Sequence, residues 1–563
     1  METTYQRDED EKKPPKKPAS RMPKRRYAYF RDDQIVILVT HKEEIISEEA
    51  LTNNTNQLNQ SLQGIKEDAV VSPRTRVDSV RLPNPEVAEG QASMLSMLTY
   101  SIEKAPEDPN YLMVMVENYN KQTKDSLVPG LTIMGASPNW LTSAASEAGG
   151  TGGPGGRPSP YNGSRTGAPA GFGSLISSLT EKGLYGNGEG VDVVILDTAP
   201  SAQALVSAPK EWPDHPLLPT LLGKQDQLGK MQPGKLRLYP APYDEVVRLW
   251  NTSLNDHDYN MTDHGLFIAG IIHSIVPEAR IHLVEVLNQY GVGDFASFVR
   301  GLNVVMNEIY DPARKMVINC SWMLEFPRDD LQCHHLNDAP TDPDAEFERL
   351  VREYAKYDEA TGKMMQFLFN QFSSLGRNAV AAAGNDGRAE QTNQIPARYP
   401  AALTEVYGVG ALQNTTRLTA LGQYERSTYS NIADEPETKG IATFGGEAGE
   451  GNGVLGVFIG EFPVYLNPSF WRRILNWIIL LLGGRVAGPP NITKWAWWAG
   501  TSFATPILTG AIAAVLSSSD QIVRVQDALK ELYTAKIIGD RTVTGLIQDA
   551  TEAGEDVMPV LQS

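Results

Sequence analysis

Ser502 lies in a sequence context that suits a nucleophilic hydroxyl. In the segment Ala499–Leu508 (AGTSFATPIL), small residues precede it and a proline follows four positions later. A nucleophile needs such a turn, because the backbone must come close to a substrate carbonyl and the N-terminus of a following helix favours developing negative charge. The turn alone is weak evidence. Its meaning depends on whether a base, an acid and an oxyanion donor occur elsewhere in the chain.

His264 is the candidate base. It follows Asp263, a residue type typical of an N-cap, in the segment Thr262–Gly270 (TDHGLFIAG), and we place it in the first turn of a helix. The positive end of the helix dipole disfavours protonation of an imidazole, which keeps the ring able to accept a proton near pH 7. A lone histidine is more often a packing or surface residue, and the other seven are interpreted in that way.

Two further candidates follow apolar runs. Asp197 ends the run Val191–Leu196 (VDVVIL), whereas Asp192 of the same run faces the opposite side because the separation of the two is odd. Asn385 follows Ala381–Gly384 (AAAG), where a side-chain amide can donate a hydrogen bond into a cleft. Each of these features alone is more typical of a turn than of a functional site.

These residues lie in a region that alternates strand and helix patterns. Short apolar runs separated by helical patterns predict an α/β fold, with a parallel sheet that has helices on both faces. Functional groups in such sheets gather beyond the carboxyl ends of the strands, where Asp197 and Asn385 are expected. The predicted strands cover 191–196, 281–287, 315–320, 378–383, 405–412 and 440–444, and the predicted helices cover 263–275, 295–308 and 347–375.

Together, the four segments resemble the subtilisin-like serine proteases (subtilases) over roughly residues 185 to 535. The order Asp, His, Ser matches this family and differs from that of chymotrypsin-like proteases and α/β-hydrolases. The resemblance implies a subtilisin-like three-layer α/β fold with a central, mostly parallel sheet, preceded by a small α+β domain. It also implies a serine endopeptidase that hydrolyses peptide bonds through an acyl-enzyme intermediate.

The resemblance assigns the site residues as well. Ser502 is the nucleophile, His264 the general base, Asp197 the group that orients His264, and Asn385 an oxyanion donor beside the Ser502 backbone N–H. The residues assigned to substrate binding are Ser321, Trp322, Met323, Ala382, Ala383 and Gly384. The family usually has glycine where Met323 stands. The bulk of Trp322 and Met323 therefore implies a narrowed substrate cleft, unless both side chains turn away into the apolar insert at about 447–494.

The chain divides by composition into five parts. The predicted divisions are a disordered basic tail (1–26), a small α+β propeptide-like domain (27–148), a Gly-rich linker (149–160), a subtilisin-like peptidase domain (161–540, with an apolar insert at about 447–494) and a C-terminal tail (541–563). In the second part, the runs Gln34–Val39 and Tyr111–Val116 predict strands, and the polar stretch 53–63 is interpreted as helical or loose.

The propeptide interpretation rests on the layout that subtilases share. The segment Leu131–Leu141 would lie in the cleft, and self-processing between about Ala136 and Gly156 would convert a zymogen into the free enzyme. A permanent regulatory or partner-binding domain is the alternative.

Composition limits the ligands. The chain has 563 residues and a formal net charge of -18, which argues against nucleic acid as the main partner. The resemblance to subtilases implies a polypeptide substrate. Two cysteines make no disulfide framework. Cys333-His334-His335 is a poor match to zinc spacing, and no acidic loop has a diagnostic calcium pattern, so no metal or cofactor is expected, although the sequence leaves structural calcium open.

The apolar insert contains the segment 470–482 (FWRRILNWIILLL). It is shorter than a bilayer-spanning helix, so we interpret it either as a segment that packs on the domain or a partner protein, or as one that lies in a membrane interface. Neither a signal peptide nor a transmembrane span is recognisable, which predicts a cytoplasmic location. The alternative to an active peptidase is a catalytically weak subtilase-fold binding or scaffold module.

Overall fold

The structure is a computed structural model. It describes residues 30–43, 45–63, 65, 68–72, 75–81, 94–106, 111–123, 130–144, 157–163, 172–225, 231–240, 261–324, 361–385, 396–413, 426–432, 440–447, 452–462, 488–534, 536–538, 541–543, 547–551 and 557–561. The predicted basic tail, most of the Gly-rich linker, the segment 470–482 and Cys333-His334-His335 lie outside these ranges.

The N-terminal part of the described chain is an antiparallel sheet with two helices. Its elements are β1 (Phe30–His41), α1 (Glu48–Leu62), β2 (Val70–Val71), β3 (Arg76–Arg81), β4 (Met94–Glu103), α2 (Tyr111–Thr123) and β5 (Thr132–Ala144). Strand β1 lies between β4 and β5, and β2 and β3 pair with β4. The apolar run Ile35–Val39 of β1 is fully buried and forms the centre of this domain's core.

The strand predicted over Tyr111–Val116 is wrong, because these residues begin helix α2. Tyr111, Leu112, Met115, Val116 and Tyr119 are buried, whereas Val114 is exposed. This spacing places one apolar face against the sheet at helical periodicity. A six-residue apolar run is too short to distinguish the helical period of about 3.6 residues from the strand period of about two. The helical face becomes visible only when Tyr119 is included.

The larger part of the chain is built on a nine-stranded sheet in the order β10-β11-β7-β13-β15-β16-β17-β23-β22. Neighbouring strands of this sheet are parallel except β22 and β23, which confirms the predicted α/β fold. The strands from β6 onward are β6 (Ser159–Pro160), β7 (Val191–Asp197), β8 (Gly223–Gln225), β9 (Met231–Pro233), β10 (Leu236–Tyr239), β11 (Arg280–Glu285), β12 (Val292–Asp294), β13 (Lys315–Cys320), β14 (Trp322–Leu324), β15 (Ala379–Ala382), β16 (Val406–Leu412), β17 (Ile441–Phe444), β18 (Val454–Val457), β19 (Trp495–Trp498), β20 (Lys536–Ile538), β21 (Arg541–Val543), β22 (Ile547–Thr551) and β23 (Val557–Leu561).

Two buried helices pack on this sheet and on each other. They are α6 (His264–Ile275) and α8 (Thr501–Ser518), and Gly510 of α8 allows their close approach, since a Cβ there would lie 2.7 Å from Ile275 of α6. Helix α8 is long and apolar enough to cross a membrane, but it is 89% buried inside the domain and serves as a core helix. The helices from α3 onward are α3 (Gly173–Glu181), α4 (Ala202–Glu211), α5 (Leu218–Leu222), α6 (His264–Ile275), α7 (Phe295–Val304, continued by a π turn at Val305–Ile309), α8 (Thr501–Ser518) and α9 (Val525–Tyr533), with a further helix over 361–374.

Strand β5 joins the two parts of the molecule. Its first residues pair with β1, and its last residues, Leu141–Ala144, pair antiparallel with β12 on one side and β14 on the other. The small domain and the larger one therefore share a seven-stranded sheet. The residues held between two strands of the larger domain, Thr142 and Ser143, thus directly follow the segment Leu131–Leu141 that was predicted to lie in the cleft, most of which pairs with β1.

The last residues of the chain also contribute to the fold. We expected 541–563 to be a tail, but the structure places β22 and β23 at the edge of the nine-stranded sheet, where β23 pairs in parallel with β17. Strands β18 and β19, the second of which is the aromatic run Trp495–Trp498, pair antiparallel. Residues 463–487 of the predicted insert lie outside the described residues.

Candidate active site

Asp197 and His264 lie side by side at the carboxyl edge of the parallel sheet. Asp197 is the last residue of β7 and His264 the first residue of α6, and the Nδ1 atom of His264 is 2.7 Å from Oδ1 of Asp197. Both side chains are fully buried. The carboxylate therefore orients the ring and favours the tautomer that carries its proton on Nδ1.

Thr198 fixes the start of α6 against the end of β7. Its hydroxyl donates to the carbonyl of Met261 at 2.9 Å and accepts from the backbone N–H of Gly265 at 3.3 Å. A Cβ at Gly265 would lie 2.2 Å from the Thr198 carbonyl oxygen, so only glycine allows this approach. Sequence reasoning missed Thr198 because its partners are more than sixty positions away.

The imidazole ring of His264 also packs against two aromatic side chains. The ring of Trp498 contacts it edge-on with centroids 5.3 Å apart, and the ring of Phe503 lies 5.2 Å away. Among the residues that the structure describes, no group forms a hydrogen bond with Nε2. A buried acceptor without a partner is costly, so this position is ready to receive a hydroxyl proton.

Ser502 occupies the first turn of α8 and is tied to Ser321 in both directions. Its hydroxyl donates to the Ser321 carbonyl at 3.1 Å, and the Ser321 hydroxyl donates to the Ser502 carbonyl at 3.0 Å. Phe503, its neighbour in the chain, contacts the His264 ring. Ser502 is thus adjacent in the chain to a residue that contacts His264, and its own hydroxyl is directed toward Ser321.

Asn385 faces the start of α8 from the end of β15. Its Oδ1 accepts from the backbone N–H of Thr501 at 3.0 Å and from the Thr501 hydroxyl at 2.9 Å. These bonds hold the amide oxygen of Asn385 against the start of α8, one residue before Ser502. Gly384 has φ +118°, and a Cβ there would lie 2.7 Å from Asn431, which explains the glycine before Asn385.

Strand β14 carries two of the residues predicted to bind substrate. Trp322 is fully buried and packs against the ring of Phe298 with centroids 4.7 Å apart. Met323 is also buried, and it clusters with Ala382. These contacts differ from the alternative in which both side chains turn away into the apolar insert: Trp322 packs toward α7 and Met323 packs across to β15.

Asp263 occupies the N-cap position of α6, as predicted, but its side chain does not cap the helix. Its carboxylate instead accepts from the backbone N–H of Ile459 and, at 2.6 Å, from that of Gly460. Burial raises the pKa of Asp263 to about 6, although the two backbone hydrogen bonds and the charge of Lys494 favour the ionised form. The residue next to His264 is therefore anchored to the loop that follows β18.

Asp192, set aside in the sequence reasoning, has a structural role at the other end of β7. It accepts from Arg314 at 2.7 Å and pairs with His282 at 3.2 Å.

Among the described residues, no group of three or more His, Cys, Asp or Glu side chains could hold a metal ion.

Comparison with known proteins gives one family. The sequence model of the subtilase family, Peptidase_S8, matches residues 188–550. A search of curated proteins found no match. Among solved structures, the chain is similar to one described as the crystal structure of a lanthipeptide protease, with 17% identity over 72% of this chain and 97% of the other and a TM-score of 0.37.

Proposed function

The chain belongs to the subtilase family, a family of serine-type peptidases, and we propose that it is an active serine endopeptidase in which Ser502 is the nucleophile. The observation that carries the proposal is the buried pair of Asp197 and His264, 2.7 Å apart, whose imidazole contacts the ring of Phe503, the residue that follows Ser502 in the chain. A carboxylate that orients an imidazole beside a serine hydroxyl is the arrangement that activates serine for acyl transfer.

The reaction begins with a rotation of the Ser502 hydroxyl. It leaves the Ser321 carbonyl and donates to Nε2 of His264, which has no partner among the described residues. Active-site hydrogen bonds are often loose in the absence of substrate and tighten when it binds. Oγ of Ser502 then attacks a peptide carbonyl while His264 takes its proton and passes it to the leaving amine.

The remaining groups stabilise the charge that develops. The amide nitrogen of Asn385 and the backbone N–H of Ser502 donate to the oxyanion, and Asp197 stabilises the imidazolium. A water molecule then attacks the acyl-enzyme with His264 as base, which releases the acid product and restores Ser502.

We further infer that residues 27–148 are an inhibitory propeptide. In support, Thr142 and Ser143 lie between β12 and β14 with backbone pairing on both sides, which is how an extended peptide adds to a sheet. Ala144 is opposite Trp322, so a strand that continues this register brings the next residue opposite Ser321, whose carbonyl accepts from Ser502. Self-processing therefore falls between Ala145 and Ser146.

A catalytically weak binding module is the second candidate. The observation that favours it is the bond from the Ser502 hydroxyl to Ser321, which leaves His264 without that donor. Binding of an extended peptide alongside β14 would not need a reactive serine.

Hydrolysis of an unfolded protein substrate separates the two candidates. The purified full chain is incubated with unfolded casein and new amino groups are measured, with Ser502→Ala as the test variant. Ser518→Ala, at the other end of the same helix, is the matched control. If the peptidase proposal is right, the wild type and Ser518→Ala release new amino groups from casein, and Ser502→Ala releases none. Equal release by all three, or no release by a wild type freed of residues 27–148, would reject it.

A further inference from the structure

The two faces of β14 have different surroundings. Side chains alternate along a strand, so Trp322 and Leu324 share one face and Met323 lies on the other. Trp322 packs into the domain against Phe298. Met323 contacts Ala382 at the end of β15, and the two form a small apolar cluster separate from the main core. Met323 therefore closes the gap between the two strands that flank the cleft.

The register shows which substrate side chain meets this cluster. Met323 is directly opposite Ser143, and opposed residues in an antiparallel pair project to the same face. A residue two positions after Ser143 projects to that face as well. In a peptide bound as β5 is bound, this is the residue opposite Ser321, whose carbonyl oxygen bonds to Ser502.

The space available to that side chain is limited. Met323 is 3% exposed and Ala382 is 0% exposed, so the methionine fills the volume beside Ala382. Ala382 is followed by Ala383-Gly384-Asn385, which places the filled volume next to the oxyanion donor.

The chain's own sequence at this position fits a shallow pocket. The residues of β5 that pair with β14 are Thr142, Ser143 and Ala144, and the next two residues of the sequence are Ala145 and Ser146. All five have small side chains, and the residue that the register places before the predicted cut is alanine.

We propose that Met323 restricts the residue before the scissile bond to alanine, serine or glycine. The inference rests on the proposed peptidase function and names the substrate class of the same site. A bulky side chain at that position must displace Met323 from Ala382, and a packed pocket discriminates by about 10- to 200-fold for a change as small as one methylene.

Peptide p-nitroanilides of the form Thr-Ser-Ala-X test the proposal, where X is alanine or phenylalanine. For the full chain, kcat/KM for alanine is expected to exceed that for phenylalanine by at least about 10-fold. In Met323→Gly the preference should fall by at least about 10-fold, mainly because the phenylalanine peptide is cleaved faster. Met323→Leu, which keeps the bulk, is the matched control and should keep the preference for alanine.

Labelling of Ser502 with a small fluorophosphonate is measured in parallel on every variant, because it reports folding and the nucleophile independently of the pocket. Labelled wild type that cleaves the phenylalanine peptide as well as the alanine peptide would overturn the inference and leave the peptidase proposal standing. A labelled Met323→Gly variant that keeps the wild-type preference for alanine over phenylalanine would also overturn the inference. A wild type that is neither labelled nor active would overturn the proposed function and this inference with it.

Discussion

The Nδ1 atom of His264 lies 2.7 Å from Oδ1 of Asp197, and both side chains are fully buried. The backbone N–H of Thr198 donates to the same carboxylate oxygen at 2.7 Å. Two donors on one oxygen hold the carboxylate in a fixed direction. The orientation of the imidazole is therefore set before any substrate binds, and it depends on the charge of Asp197.

Replacing Asp197 by asparagine should lower kcat by about 10⁴-fold, because the amide favours the wrong histidine tautomer. Asp192→Asn is the matched control, since it removes a buried carboxylate from the same strand at the other end. Steady-state hydrolysis of an alanine p-nitroanilide measures both. The control is expected to lose stability but to keep kcat within a few-fold; an equal loss of kcat in both variants would contradict the assigned role.

Replacing Asn385 by alanine should lower kcat by about 100- to 1000-fold and change KM little, because the proposed role of its amide is to donate to the oxyanion that forms in the transition state. The backbone N–H and hydroxyl of Thr501, which bond to Asn385, would lose their acceptor as well. Circular dichroism of the folded variant is therefore the companion measurement. A variant that is folded and raises KM without lowering kcat would show that Asn385 binds substrate instead.

Stability should depend on pH through Asp263. Its pKa is raised from 3.8 to about 6, so the folded state binds this proton more tightly than the unfolded state does. Protonation of Asp263 therefore adds up to about 3 kcal/mol to the free energy of unfolding. This contribution is complete below about pH 4 and is lost as the pH rises through 6.

Asp263→Asn removes the titration while keeping an oxygen that can accept from Ile459 and Gly460. The free energy of unfolding of both proteins is measured by urea denaturation at several pH values. Between pH 4 and 7 the wild type should lose stability relative to the variant. A difference that is constant across this range would contradict the raised pKa.

Self-processing should produce a new N-terminus at Ser146. The expectation follows from the pairing of Ala144 with Trp322 and the bond between Ser502 and the Ser321 carbonyl. N-terminal sequencing of purified wild type and of Ser502→Ala measures it, and the variant should retain the whole N-terminal domain. Cleavage of the variant at the same position would assign the cut to another protease, and an intact wild type would favour a permanent domain.

Much of the site could be predicted because its residues stand at ends of regular elements. Asp197 ends an apolar strand, Asn385 follows one, and His264 and Ser502 begin helices, so local pattern and chain order place all four at one edge of a sheet. Elements with long, uniform apolar runs, such as β7, were predicted to within one or two residues for the same reason.

The remaining features depend on contacts between distant parts of the chain. The bonds of Thr198 to Met261 and Gly265 and those of Asp263 to the loop after β18 join residues 60 to 200 positions apart, which no local pattern encodes. The pairing of β5 with both β12 and β14 is of the same kind. Hydrophobic periodicity predicts which face of an element is buried, and it carries no information about the partner that buries it.

The central claim, that Ser502 is the nucleophile, is tested most directly by the site of covalent labelling. The full chain is treated with a fluorophosphonate, and the modified residue is located by mass spectrometry of its peptides, with Ser502→Ala and Ser518→Ala in parallel. The account predicts one phosphonyl group on Ser502 in the wild type and in Ser518→Ala, and none in Ser502→Ala. Labelling at another serine, equal labelling of Ser502→Ala, or no labelling of a wild type freed of its N-terminal domain would contradict it.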